Sequence, residues 1–272
     1  MSHFLQPVIA LAATLMMTLA LSLTSLTALA TTTNPPTSAG PFDWSTFDAL
    51  LKAHVQPGNV NNIEANLVDY RTLKKRPEFF AIADQLAQYN PSGLDRAHTL
   101  AFYINAYNYF ALKLVVDHYP LDSIKDLGNF LFPVWKKEAG KINGKTVSLD
   151  EIEHKVLRKL DEPGIHFAIV CASLSCPDLR REAYQADALK AQLADQVKRF
   201  LTQSKGKQVR HSNGESVLYL SNIFKWFEGD FVSHGGVIRY LTPHDPSLVP
   251  YQSFKTLDYN WQLNDLALMT TK

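Results

Sequence analysis

Both cysteines of the chain lie in one short stretch, GIHFAIVCASLSCPDLRREA (Gly164 to Ala183), with His166 five residues ahead of Cys171. Three chemistries suit that spacing. In the first, a thiol is a nucleophile. Cys176 precedes Pro177, Asp178 and a helix-forming run, so the pattern predicts Pro177 at a first helical position and the sulfur facing free N–H groups and the positive end of a helix dipole. Cys171 ends an apolar run that reads as a strand and is expected to be buried and inert. The base is harder to place. On a strand rising about 3.3 Å per residue, His166 would lie on the order of 16 Å from Cys171 and face the other way. His154 sits roughly 9 Å from the end of its own helix at about 1.5 Å per residue. A dyad with His154 or His166 is therefore allowed but not favoured, and His98 and His211 are alternatives.

The second chemistry is a Cys171 to Cys176 disulfide, closing a loop of about six residues and worth roughly 2 kcal/mol by the chain-entropy argument. It would fix the turn that presents Ser173 and Ser175. The third is a zinc site from His154, His166, Cys171 and Cys176. The same strand geometry that separates His166 from Cys171 argues against it, and no metal is expected. Outside this stretch, Asn105 and Asn108 stand three apart on one predicted helix face. Buried amides there either brace neighbouring loops or, as Asn105 would in an enzyme, orient a histidine or an oxyanion. Arg180 is a candidate carboxylate or phosphate clamp. Trp226, beside Lys225, Glu228 and Asp230, is a candidate pocket wall, although such a pattern also suits simple packing.

These residues need a scaffold, and punctuation and periodicity outline it. Helices are expected near 42–55, from Pro77 to about Asn90, from about Leu94 to His118, from Ser148 to about Leu160, and over Asp187–Gln203, with short ones at NIFKWFEGDF and GGVIRYL. Ser148 and Glu151 form a capping-box pattern. Two hairpins are expected, one at Asn143-Gly144 and one across QVRHSNGESVLYLS, with a last strand at KTLDYN. The class is α+β: a single, mostly helical domain around a small antiparallel sheet, papain-like only in the loose sense of a central helix packed on a sheet.

Residues 1–30 contain no charged side chain, run apolar from Val8 to Leu23 and end in Ala28-Leu29-Ala30, the pattern of a cleaved signal peptide. Residues 31–41 read as a flexible linker and 42–272 as the folded domain. The expected location is periplasmic or secreted, with a membrane involved only if the leader stays uncleaved. With 27 basic and 26 acidic side chains the net charge is +1, which argues against nucleic acid as a partner. No phosphate loop, dinucleotide fingerprint, H-E-x-x-H or G-x-S-x-G occurs, so no cofactor is called for.

Four segments taken in order, AFYINAYNYFAL, SLDEIEHKVLR, IHFAIVCASLSCPDLR and LSNIFKWFEGDF, resemble the DUF547 family, a domain of unknown function found in bacterial exported proteins and in plants. The resemblance spans roughly Ala65 to Trp261. It implies a domain boundary and a shared pocket but no reaction. From the residues, the expected function is a thiol- or hydroxyl-dependent hydrolase or acyl transferase acting on peptide-like or small molecules. Cys176, His154 or His166, and Asn105 would be nucleophile, base and orienting group. The alternative is a non-catalytic binding or scaffold domain whose loop is clamped by the disulfide. Nothing in the sequence sets an oligomeric state.

Overall fold

The computed structural model describes residues 40–212 and 214–269. The expected signal peptide and most of the expected linker lie outside these residues. Helix α1 (Ser45–His54) leads into the hairpin β1 (Val55–Val60) and β2 (Ile63–Val68), then the short α2 (Tyr70–Leu73) and α3 (Pro77–Gln88). Helix α4 (Arg96–His118) follows, capped by Asp95, whose side chain accepts from the His98 N–H. Next come the hairpin β3 (Glu138–Ile142) and β4 (Lys145–Ser148), the one-turn α5 (Leu149–Glu151), α6 (Leu189–Thr202), the hairpin β5 (Lys207–Ser212) and β6 (Glu215–Leu220), α7 (Ile223–Trp226), α8 (Val237–Leu241) and β7 (Lys255–Thr256). This is the expected α+β class. Instead of one small sheet the described residues form three separate ones, and β7 joins β6 in parallel.

Helix α4 is the axle of the molecule. From Leu100 to Val116 nearly every side chain is buried, which is why its sequence is apolar on all sides and not amphipathic. Asn105 and Asn108 are the polar exceptions, and each uses both ends of its amide to hold a non-helical segment. Asn105 donates to the Tyr184 carbonyl and accepts from the Tyr184 N–H. Asn108 donates to the Ala168 carbonyl at 2.9 Å and accepts from the Val170 N–H at 2.9 Å. A chain that runs through a core without sheet partners must satisfy its amides this way.

Two sequence expectations fail in that irregular region. Residues 165–170 are not a strand: Pro163–Phe167 is a 3-10 turn, begun by Pro163 and by the Glu162 carboxylate accepting from the Gly164 N–H, and the chain after it is irregular. A short apolar run buried on all sides looks the same in either conformation. Nor does a helix begin at Pro177. Residues 177–186 are extended and turned, pinned by Asp178, whose carboxylate accepts from the Asn66 N–H, Lys205 and Gln203. Both buried ends of the Asp178–Lys205 pair are thus neutralised, as burial of a charge requires.

The capping box of Ser148 and Glu151 is present, but the helix it begins does not continue as α-helix. Ile152–Val156 is a π-turn and Leu157–Leu160 is 3-10. Replacing Asn108 by Leu leaves the Val170 N–H and the Ala168 carbonyl buried and unpaired, and should lower the unfolding free energy by roughly 2–4 kcal/mol in chemical denaturation.

Candidate functional site

The loop between the cysteines is held open-ended by hydrogen bonds from the C-terminal segment. Leu174 N–H donates to the Gln262 carbonyl, Ser175 N–H to that of Asn260, and Asn264 N–H to that of Ala172. Ser175 Oγ accepts from the Asn260 N–H at 2.8 Å, so this hydroxyl is a strut of the strap. Within the loop, Ala172 has φ of +57°, a left-handed conformation that a residue with a Cβ adopts only under constraint. That turn directs the Cys171 N–H at the Cys176 sulfur, 2.9 Å away. The Cys171 sulfur in turn lies 3.1 Å from Ser173 Oγ and 3.2 Å from the Tyr259 hydroxyl. Both thiols are free in this structure.

The two sulfurs border a cavity of about 180 Å³. A water fills about 30 Å³ of liquid, so the space matches a group of a few heavy atoms. One wall is aromatic: Trp226 stacks on Trp261 with centroids 5.7 Å apart, Tyr259 packs against both, and Trp135 adjoins Trp261. The lining also carries Asp150, Glu153, His154 and His166, with Tyr107 from α4. Consecutive residues on an α-helix point about 100° apart. The wider π-turn brings Glu153 and His154 to the same cavity, a device frequent at functional sites.

Charge is arranged unevenly around this space. Burial opposes ionisation of the Cys176 thiol, but hydrogen bonds from the Cys171 thiol, the Tyr259 hydroxyl and the Cys171 N–H, with the Lys205 charge behind them, outweigh it and bring the thiol below its ordinary value. Cys171 is driven the other way by burial and by its neighbour, so the pair holds one proton on Cys171. Burial also raises Glu153, to about 7, and the Arg158 charge only partly offsets this.

The histidines are locked in place by one carboxylate. Asp230 takes two hydrogen bonds from Arg158, at 2.6 and 2.7 Å, and lies 2.8 Å from His166 Nε2. Despite burial these partners hold its carboxyl well below the usual range. His166 stacks on Phe227 at 4.1 Å, and its Nδ1 is buried with no hydrogen-bond partner. The third Arg158 bond, at 2.7 Å, goes to His154 Nδ1. An arginine can only donate, so His154 keeps its proton on Nε2, 3.6 Å from Asp150, and is a donor toward the cavity.

The structure therefore brings Cys176, Cys171, His154, His166 and Trp226 to one cavity. Because 165–170 is not a strand, the calculated separation of His166 from the cysteines does not apply. Neither histidine is hydrogen-bonded to the Cys176 sulfur among the described residues; the Cys171 amide is, and the Cys171 thiol and the Tyr259 hydroxyl bond to each other beside it. Asn105 is a correction: it is spent on Tyr184, away from the cavity. Arg180 is another, since Glu182 and Asp195 occupy its guanidinium. Ser173 touches Cys171 but does not line the cavity. His98 pairs with Asp95 and His211 with Ser216, both elsewhere. Among the described residues no cluster of His, Cys, Asp and Glu has the arrangement of a metal site. The site residues not anticipated are Glu153, Asp150, Arg158, Tyr107, Tyr259, Trp135 and Trp261, with Asp230 foreseen only as Trp226's neighbour.

The fold and site thus define an α+β domain with a polarised thiol pocket. Residues 91–201 match the model of the DUF547 family, described as a protein of unknown function. The match includes both cysteines and Glu153 but ends before Asp230, Tyr259 and Trp261. No curated protein and no solved structure matches the chain.

Glu153 gives a test of the pocket's electrostatics. A carboxyl raised from 4.5 to about 7 stabilises the fold fully below the unfolded value and loses that contribution as pH rises through about 7. Glu153→Gln, neutral at every pH, should escape this loss. Relative to the variant, the wild type is expected to lose on the order of 3 kcal/mol between pH 4.5 and 7, read from urea midpoints across that range.

Proposed function

We propose that this chain is an exported cell-envelope enzyme that transfers acyl groups through Cys176, as a hydrolase or a transferase acting on small or peptide-like substrates. The observation that carries the reading is the Cys176 sulfur, bordering a cavity and held by the Cys171 N–H at 2.9 Å, with carboxyl and imidazole groups lining the same cavity. The export part of the proposal rests on the leader-like residues 1–30.

The chemistry follows from the opposed proton affinities of Cys176 and Glu153, which separate base and acid in one cavity. The thiolate attacks an acyl carbonyl, forming a carbon–sulfur bond and an oxyanion. As the oxyanion collapses, the bond to the leaving oxygen or nitrogen breaks, and that atom takes the Glu153 proton. Water or an acceptor amine then attacks the thioester, returns its proton to the Glu153 carboxylate and releases Cys176 as thiolate. His154, with its proton fixed on Nε2, is a donor available to the oxyanion, and so is the Tyr107 hydroxyl. His166 is held by Asp230 at the back of the cavity. The aromatic wall sorts substrates by the apolar face they offer.

An activated ester tests this without knowing the natural substrate. With p-nitrophenyl acetate the full chain is expected to release one equivalent of nitrophenolate in a burst and gain one acetyl group, mapped by mass spectrometry to Cys176. Cys176→Ala should abolish both, with the fold intact by circular dichroism. An undiminished burst in that variant would dismiss Cys176 as the nucleophile. A chain with no titratable thiol as isolated would favour the disulfide-clamped binding domain.

A further inference from the structure

Beside the aromatic wall, the chain makes a tight projecting turn whose tip is apolar. Phe130, Leu131 and Phe132 are 98%, 76% and 67% exposed, and the first two are the most exposed large apolar side chains of the described residues. Folds gain stability by burying such groups, so three in a row left in water need a reason. The turn is built to hold them outward. The Asn129 side chain accepts from both the Leu131 and the Phe132 N–H, at 3.0 and 2.8 Å, and the Asn129 N–H donates to the Phe132 carbonyl at 3.1 Å. Gly128 permits the closure, because a Cβ there would fall 2.4 Å from the Val134 nitrogen. Pro133 has no N–H to satisfy.

We propose that Phe130-Leu131-Phe132 is an insertion tip that docks this domain on the surface of a lipid bilayer. Three observations select that occupant. A convex tip of three side chains cannot by itself supply the roughly 800 Å² per partner of a stable protein interface, whereas a bilayer yields around it. A backbone that enters hydrocarbon must satisfy its polar groups internally, and the Asn129 turn does so for the N–H groups of Leu131 and Phe132. The tip is also bordered by interfacial residue types. Trp135 follows it, the exposed Lys136 and Lys137 come next, and Lys125 lies 4.8 Å over the Trp261 ring. Asp126 and Glu138 oppose these lysines. Asp122 opposes them too and Asp126 is engaged by the Ser123 N–H, but the Lys136-Lys137 pair is the charge nearest the tip along the chain after Trp135 and favours anionic headgroups. Trp135 lines the thiol cavity, so docking would set the cavity beside the headgroups.

The test is local, because the apolar residues 1–30 of the full chain can bind vesicles on their own. Hydroxyl-radical footprinting of the full chain should show oxidation of Phe130, Leu131 and Phe132 largely lost on adding phosphatidylcholine vesicles that contain phosphatidylglycerol, and less so with phosphatidylcholine alone. Val232 and Val249, exposed apolar residues elsewhere, should label equally throughout. In F130S/L131S/F132S, which changes only exposed side chains, the thermal midpoint should hold while vesicles no longer shield Trp135. Equal labelling of the tip with and without vesicles would overturn the proposal. So would shielding that appears without vesicles and grows with protein concentration, which would assign the tip to a second copy of the chain. Neither outcome bears on acetylation of Cys176, so the docking surface and the acyl-transfer reading fail separately.

Discussion

The arrangement of the site depends on one hydrogen bond, from the Cys171 N–H to the Cys176 sulfur. A backbone amide does not point at a side chain five residues ahead in regular structure. Here it does so because Ala172 is forced into the left-handed region, and that strain persists only because the loop is tied down on both sides. From below, Asn108 of α4 fixes the chain at Ala168 and Val170. From above, residues 260–264 bond to Ala172, Leu174 and Ser175. The strap also delivers Tyr259 and Trp261 to the cavity, so the segment that enforces the loop furnishes the wall facing it.

Polarisation of the pocket follows from where donors are placed. Burial alone would keep every acid there protonated. Cys176 escapes because the Cys171 N–H is aimed at its sulfur, with the Cys171 thiol, the Tyr259 hydroxyl and the Lys205 charge favouring the anion as well, whereas Glu153 does not because the compensating charge, Arg158, is committed to Asp230. Arg158 thereby holds three groups together: it orients Asp230, which holds His166, and it fixes the tautomer of His154. The sulfur's proton affinity is thus lowered and the carboxyl's raised, the directions a nucleophile and an acid need.

The sequence made some of this legible and concealed the rest for physical reasons. Local signals read well. Asn143-Gly144 turns a hairpin, Ser148 and Glu151 cap a helix, and the apolar breadth of 100–116 marks the central helix. The helix dipole expected to act on Cys176 does not exist, since Asp178 is tied to Asn66, Gln203 and Lys205 and no helix begins at Pro177. The distance that disfavours a His166 dyad in the sequence follows from reading the apolar IHFAIV as a strand, which it is not. Periodicity does not separate a strand from a buried 3-10 turn, whereas the Pro163-Gly164 pair ahead of it was a usable clue to the turn. Glu153 and Arg158 were hidden because their roles depend on a π-turn, a departure from regular pitch that no side-chain pattern announces. Tyr259 and Trp261 reach the site only through non-local pairing of an irregular segment. Their one sequence signal was two large aromatic residues in the polar stretch DYNWQL.

The central claim is that Cys176 is an anion sustained by neighbouring donors while Cys171 keeps its proton. Titrating thiolate ultraviolet absorbance in the wild type, Cys176→Ser and Cys171→Ser measures it directly. One thiolate should appear in the wild type below the ordinary thiol value. That step should be absent from Cys176→Ser, and in Cys171→Ser it should persist but move upward, because one sulfur donor is lost while the amide remains. A single step at the ordinary thiol value in the wild type, or a low step that survives Cys176→Ser, would contradict the account.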